Sequence, residues 1–184
     1  MSGTHILYII GFMGSGKSTA GKKLASSLGW SFIDLDKKIE EYTGMKIPEI
    51  FSVNGEDQFR NTEAEVLRNL SLESDTVVST GGGTPCFKDN MDFMLETGVT
   101  VYLKLTPAQL VSRLLSSNDE RPLIKNLAGD DLLKFVEEKL AQRSEWYEKS
   151  HLILDGFNPD IGFLKSRVKS HLTGETGDKS SFIQ

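Results

Sequence analysis

A single cysteine, Cys86, stands among 184 residues. No internal disulfide can form, and a reducing compartment, the cytoplasm, is the expected location. A basic surplus is missing as well. The formal net charge is −5, which argues against nucleic acid as a partner, because its binders carry excess lysine and arginine. No apolar stretch approaches the ~20 residues needed to cross a bilayer, so no membrane association is expected. The opening MSGTHILYII lacks a basic leader segment and runs into a glycine turn, so it reads as a first strand rather than a signal peptide. No internal repeat and no linker divides the chain. What remains is ordinary globular material, 38% hydrophobic and 26% charged. Residues 1–172 read as one domain, and 173–184 as a disordered tail with little to bury. Cys86 reads as a small buried or loop residue.

Strand and helix patterns alternate. HILYII is a nearly continuous apolar run, as expected of a strand covered on both faces. Lys17 to Leu28 has helical spacing at Ala20, Leu24, Ala25 and Leu28, with Gly29 as its stop. SFIDLD reads as a second strand ending in acids. DKKIEEYTG and IPEIFSVNGEDQFRNTEAEVLRNL hold two or three helical segments. TVVST and VTVYLKL are a third and fourth strand. The helix TPAQLVSRLLSS follows, then the polar loop SNDERPLIKNLAGD, which carries proline and glycine. A long amphipathic helix, DDLLKFVEEKLAQRSEWYEK, precedes the fifth strand HLILD and a closing helix in NPDIGFLKSRVKSHL. Strands separated by helices pair in parallel through right-handed crossovers. The expected architecture is a three-layer α/β/α domain that binds ligand at the carboxyl ends of its strands.

GFMGSGKST, residues 11–19, fits G-x-x-x-x-G-K-[ST] between a strand and a helix. Glycines let consecutive backbone N–H groups point inward at an anion, and the helix N-terminus adds partial positive charge. Lys17, read as projecting from a solvated loop, reaches the outer phosphates, and Ser18 offers a hydroxyl to Mg²⁺. Gly14, Ser15, Gly16, Lys17, Ser18 and Thr19 are therefore the candidate ATP contacts. A phosphate loop alone does not separate a kinase from a switch or a motor. Asp34 and Asp36, two apart at the end of a strand, would share one face. One could orient the magnesium shell while the other accepts a hydroxyl proton; helix-capping acids are the alternative.

The ordered set GFMGSGKST, FIDLD, GEDQFRNTE, STGGG, ERPLI and QRSEWY resembles the successive motifs of shikimate kinases, over essentially the whole chain except the tail. The resemblance implies a P-loop kinase fold with a five-stranded parallel sheet in the order 2-3-1-4-5, a substrate-binding segment near 36–63 and a lid near 116–129. It implies transfer of the ATP γ-phosphate to the 3-hydroxyl of shikimate by a monomer with Mg²⁺. Asp36 would lie nearest the attacking oxygen, and Asp34 would act with Ser18 through the magnesium shell. Arg60 and Arg143 would hold the substrate carboxylate, and Gly81, Gly82 and Gly83 would let backbone approach its ring. Arg121 would arrive with the lid and neutralise charge on the transferring phosphate, while closure keeps water out. Arg113 and Phe157, beside Asn158 and Pro159, would hold adenine; Phe157 departs from the polar or basic residue expected there.

Residue chemistry agrees with the acceptor. A hydroxylated acid needs guanidinium forks for its carboxylate and a carboxylate to accept from its hydroxyls. Taken singly, Arg60 and Arg143 read as solvated helix charges, and only the motif context reverses that. Glu63, three residues on from Arg60, is placed to fix it. Phe51 and Phe59 read as core aromatics or as a wall for the substrate ring. A gluconate kinase or another small-molecule P-loop kinase is the alternative. Its expected histidine and arginine-rich run after the acids is replaced by Lys37, Lys38 and Ile39. A nucleoside monophosphate kinase would carry more lid arginines than Arg121 alone. A regulatory nucleotide-binding module would have lost Asp36, Arg60 or Arg121.

Overall fold

The computed structural model describes residues 4–117, 124 and 127–174. In chain order the elements are β1 (Ile6–Ile10), α1 (Lys17–Leu28), β2 (Ser31–Asp34), α2 (Leu35–Thr43) and α3 (Ile47–Arg68). There follow β3 (Thr76–Ser79), a 3₁₀ turn at Thr84–Cys86, α4 (Asn90–Thr97) and β4 (Val99–Lys104). The chain continues through α5 (Pro107–Ser116), α6 (Gly129–Tyr147), β5 (Leu152–Asp155) and α7 (Ile161–Leu172). The five strands form one parallel sheet in the order β2-β3-β1-β4-β5, which is the expected order.

Alternation along the strands sorts the core into two layers. Tyr8, Ile10, Val78 and Tyr102 face one side, against Leu35, Ile39, Phe59, Leu67, Met91, Met94 and Tyr147 from α2, α3, α4 and α6. Leu7, Ile9, Val77, Val101, Leu103 and Leu154 face the other, against Leu24 and Ala25 of α1 and Leu164 and Val168 of α7. Central strands buried on both faces are what a parallel sheet requires. A third cluster, Phe12, Leu105, Leu110, Leu114, Leu132 and Val136, joins α5 and α6 to the loop after β1.

Two local readings change. SFIDLD is not a strand throughout: it ends at Asp34, and Leu35 opens α2. Leu35 and Ile39, both fully buried, lie four apart, and burying both on one side requires helix. The acids therefore do not share a strand face; Asp36 stands in the first turn of α2. The structure also adds α4, the crossover between β3 and β4, which has only eight residues and no side-chain cap. Within α3, Gly55 breaks the helical path at φ 77°, dividing the element into two rods.

Candidate active site

A cavity of about 680 Å³ opens at the carboxyl ends of the strands. Its wall includes Gly14, Gly16, Lys17, Ser18 and Thr19 at one end and Asp36, Phe51, Phe59, Arg60, Gly81–Gly83 and Arg143 at the other. β1 delivers its last buried residue, Ile10, into the loop, and the backbone turns through positive φ at Gly11, Gly14 and Gly16. Gly16 is the N-cap of α1; no side chain caps this helix and no acid stands in its first turn. The helix thus presents its unpaired N–H groups and its positive end to the cavity, which suits an anion. Lys17 is not solvated as expected. It is only 8% exposed, and its ammonium donates to the Gly11 and Phe12 carbonyls at 2.9 Å each. Packing of the loop over the lysine stem, together with these two acceptors, holds the charge in place. Ser15 is buried, off the cavity wall, and its Oγ has no hydrogen-bond partner among the described residues.

Ser18 Oγ donates to Asp34 Oδ2 at 2.7 Å and lies 3.2 Å from Ser79 Oγ. Asp34 occupies the N-cap position of α2 yet makes no capping bond there, so its carboxylate is committed to Ser18. Asp36 lines the same cavity. Burial pushes its carboxyl up to about 6, with Glu63 and Asp34 adding to the rise and Lys17 and Arg60 opposing it. Such a carboxylate is ionised at neutral pH and still a fair proton acceptor.

The acceptor end is an interlocked set. Arg60 donates to Glu63 Oε2 at 2.7 Å and to Glu56 Oε1 at 3.4 Å. Glu63 is fully buried and also accepts from Thr84 Oγ1 at 2.5 Å. The glycines between them leave no room for side chains. A Cβ on Gly81 would stand 2.6 Å from Glu63 Oε1, and one on Gly83 would strike the Arg60 guanidinium. Phe51 and Phe59 contact each other at 4.6 Å between ring centroids, and both line the cavity while packing with the core, so the two readings of these aromatics combine. Arg143 lies over the Phe12 ring at 5.4 Å. Tyr147 Oη donates to the Gly82 carbonyl at 2.5 Å.

At the nucleotide end Arg113 donates to the carbonyls of Ser15 at 2.8 Å, Gly156 at 3.0 Å and Phe157 at 2.6 Å. Its guanidinium lies over the Phe157 ring at 5.7 Å. Phe157 is 55% exposed, and Phe157, Asn158 and Pro159 are not part of the cavity wall. Arg121 and most of the segment 116–129 fall outside the described residues, as do residues 175–184 of the tail. Cys86 is half-buried on the 3₁₀ turn, and burial pushes its thiol up to about 11, so it stays a neutral thiol. Sequence reasoning missed Thr84 and Tyr147. Their partners are 21 and 65 residues away, and only the motif QRSEWY pointed toward the second.

The family model for shikimate kinase matches residues 13–159. A shikimate kinase of Parabacteroides distasonis is 42% identical over 149 residues, covering 81% of this chain and 86% of that protein. Among solved structures, shikimate kinase from Bacteroides thetaiotaomicron superposes with a TM-score of 0.84 at 35% identity, over 92% of this chain and 98% of that one. Shikimate kinase from Acinetobacter baumannii in complex with shikimate gives a TM-score of 0.81 at 29% identity, over 95% and 96% of the two chains.

Proposed function

The chain belongs to the shikimate kinase family, and we infer that it transfers the γ-phosphoryl group of ATP to the 3-hydroxyl of shikimate. The products are shikimate 3-phosphate and ADP, in the synthesis of chorismate and the aromatic amino acids. The observation that carries the acceptor is the cluster Asp36, Arg60 and Arg143 around Gly81–Gly83, on the wall of the same cavity as the phosphate loop. Two guanidinium groups suit one carboxylate, and a carboxylate suits ring hydroxyls.

The chemistry follows from the placement. The N–H groups of Gly14 to Thr19 and the positive end of α1 take the phosphates. The Lys17 ammonium neutralises charge that spreads over the transferring group. Arg60 and Arg143 hold the acceptor carboxylate and so orient its hydroxyl. The acceptor oxygen bonds to the γ-phosphorus as the bond to the β–γ bridging oxygen breaks, and Asp36 takes the hydroxyl proton. Ser18 and Asp34 present a hydroxyl and a carboxylate 2.7 Å apart, a hard-oxygen set that fits Mg²⁺ with water and phosphate completing its shell. If bound there, that ion would help neutralise phosphate charge during transfer. Arg113 and Phe157, with Asn158 and Pro159 next in sequence, take the adenine. Arg121, outside the described residues, is assigned to the charge on the transferring phosphate.

We assign this activity to a cytoplasmic monomer, residues 1–172 forming one kinase domain. The lone cysteine suits a reducing compartment. ADP release with shikimate, gluconate or AMP as the sole acceptor tests the assignment: turnover is expected with shikimate, and faster turnover with gluconate or AMP overturns it. Sedimentation in parallel is expected to give a single species of 20.4 kDa.

A further inference from the structure

The motif QRSEWY contributes more than its arginine. Tyr147 closes α6 and is fully buried, with its ring 5.0 Å from that of Tyr102 on β4, centroid to centroid. Burial holds its phenol far above the ordinary value, so the hydroxyl stays a donor at any working pH. The acceptor is the carbonyl of Gly82. Gly82 in turn lies against the phosphate loop: a Cβ built on it would stand 3.0 Å from the Met13 nitrogen and 3.4 Å from the Gly11 carbonyl oxygen. One helical turn earlier, Arg143 covers the Phe12 ring and approaches the Tyr147 hydroxyl. A single turn of α6 therefore touches Phe12 in the donor loop and Gly82 in the acceptor loop.

We propose that Tyr147 is a positioning residue for phosphoryl transfer, whose hydroxyl seats Gly82 against the phosphate loop and so sets the separation between acceptor and donor. The proposal rests on residues 81–83 being the acceptor loop. Transfer needs the reacting atoms near 3–3.5 Å and in line, and about 1 Å of slack at that separation lowers the rate by up to about a hundredfold. Without the hydroxyl, the Gly82 carbonyl loses its donor and the loop can move along the line that joins the two substrates. A tyrosine that merely satisfied a nearby carbonyl would affect stability and leave the reaction alone.

Tyr147→Phe removes one oxygen and keeps the ring contact with Tyr102. Tyr102→Phe is the control, since it changes the other ring of the pair and has no bond to Gly82. Both are assayed with ATP and whichever of shikimate, gluconate or AMP the parent chain turns over. A wrong acceptor assignment is then seen in the parent, and a wrong role for Tyr147 in the variant. The expected result for Tyr147→Phe is a kcat lower by about tenfold, with KM for ATP and the circular dichroism spectrum close to the parent's. Tyr102→Phe is expected to keep the parental kcat even where its melting temperature falls as far. A parental kcat in Tyr147→Phe, or an equal loss of kcat in Tyr102→Phe, overturns the proposal.

Discussion

At the phosphate loop the groups that face the cavity are backbone amides, a helix terminus and one lysine, whereas at the acceptor end they are charged side chains that hold one another. The first end gets its charge from geometry: positive φ at Gly14 and Gly16 and an uncapped α1. Little there depends on a second residue. The second end is cooperative. Arg60, Glu63 and Thr84 form a chain of contacts in which Glu63 is fully buried, so removing one member leaves another unpaired. Damage should therefore stay local at the nucleotide end and spread at the acceptor end.

The largest effect expected is that of Lys17→Met, a loss of about 10³-fold or more in ADP release, the scale of removing a cation from phosphoryl transfer. Its circular dichroism should match the parent's, because the bonds it gives up run from one side chain to the Gly11 and Phe12 carbonyls of the loop and its stem is in none of the hydrophobic clusters. Near-parental turnover would remove the lysine from the donor end altogether.

Asp36→Asn comes next, with kcat lower by about 10²–10⁴-fold; a change confined to KM for shikimate would make Asp36 a binding group only. The parent's kcat should fall as pH drops through about 6, where Asp36 gains its proton. Glu63→Gln removes one of the charges that raise Asp36 and should move that limb to lower pH. Stability runs the other way. Because the folded value lies above the unfolded one, this group favours folding most below about pH 4, and the benefit is lost as pH rises through about 6. Asp36→Asn should accordingly raise the melting temperature at neutral pH, which differential scanning calorimetry reads directly.

Arg60→Ala and Arg143→Ala should each weaken shikimate binding by about 2–5 kcal/mol, as when one member of a buried charge pair is truncated. Calorimetric titration should find ATP affinity nearly unchanged in both, and the double mutant less impaired than the sum of the singles. The comparison sharpens in the melting curves. Arg60→Ala should lower the melting temperature further, since it strands the buried Glu63, while Arg143→Ala gives up a place over the Phe12 ring.

The smallest effects belong to the adenine edge. Arg113→Ala, which releases three carbonyls, should cost ADP binding about 1–3 kcal/mol, the cost of leaving polar groups unsatisfied. Phe157→Ala should cost no more than about 1 kcal/mol, since the ring is 55% exposed. Fluorescence titration with ADP checks both, and a larger loss for Phe157 would reverse their order.

The same contrast explains what could be read in advance. The phosphate loop was legible because its function lies in backbone conformation, and glycine at fixed spacing is how sequence writes that. The sheet order and the motif positions came through the family resemblance. At the acceptor end the contact that local spacing could give is Arg60 with Glu63, since i to i+3 is a helical neighbour. Thr84 and Tyr147 meet partners that no local spacing predicts. α4 was missed because eight residues with Met91 and Met94 as buried apolar positions make too short a period. Asp36 reads as strand from the sequence because alternation and helical spacing look alike over so few residues.

The full burial of Glu63 has a consequence for how this site can change over time. Its two oxygens are divided between Arg60 and Thr84, so replacing any one of the three strands a polar group away from solvent. Single-step drift at this spot is penalised in fold and catalysis together, and a viable alternative needs paired substitutions. A competitive inhibitor that makes its contacts here, rather than at the exposed adenine edge, leaves a population few single mutations by which to escape it.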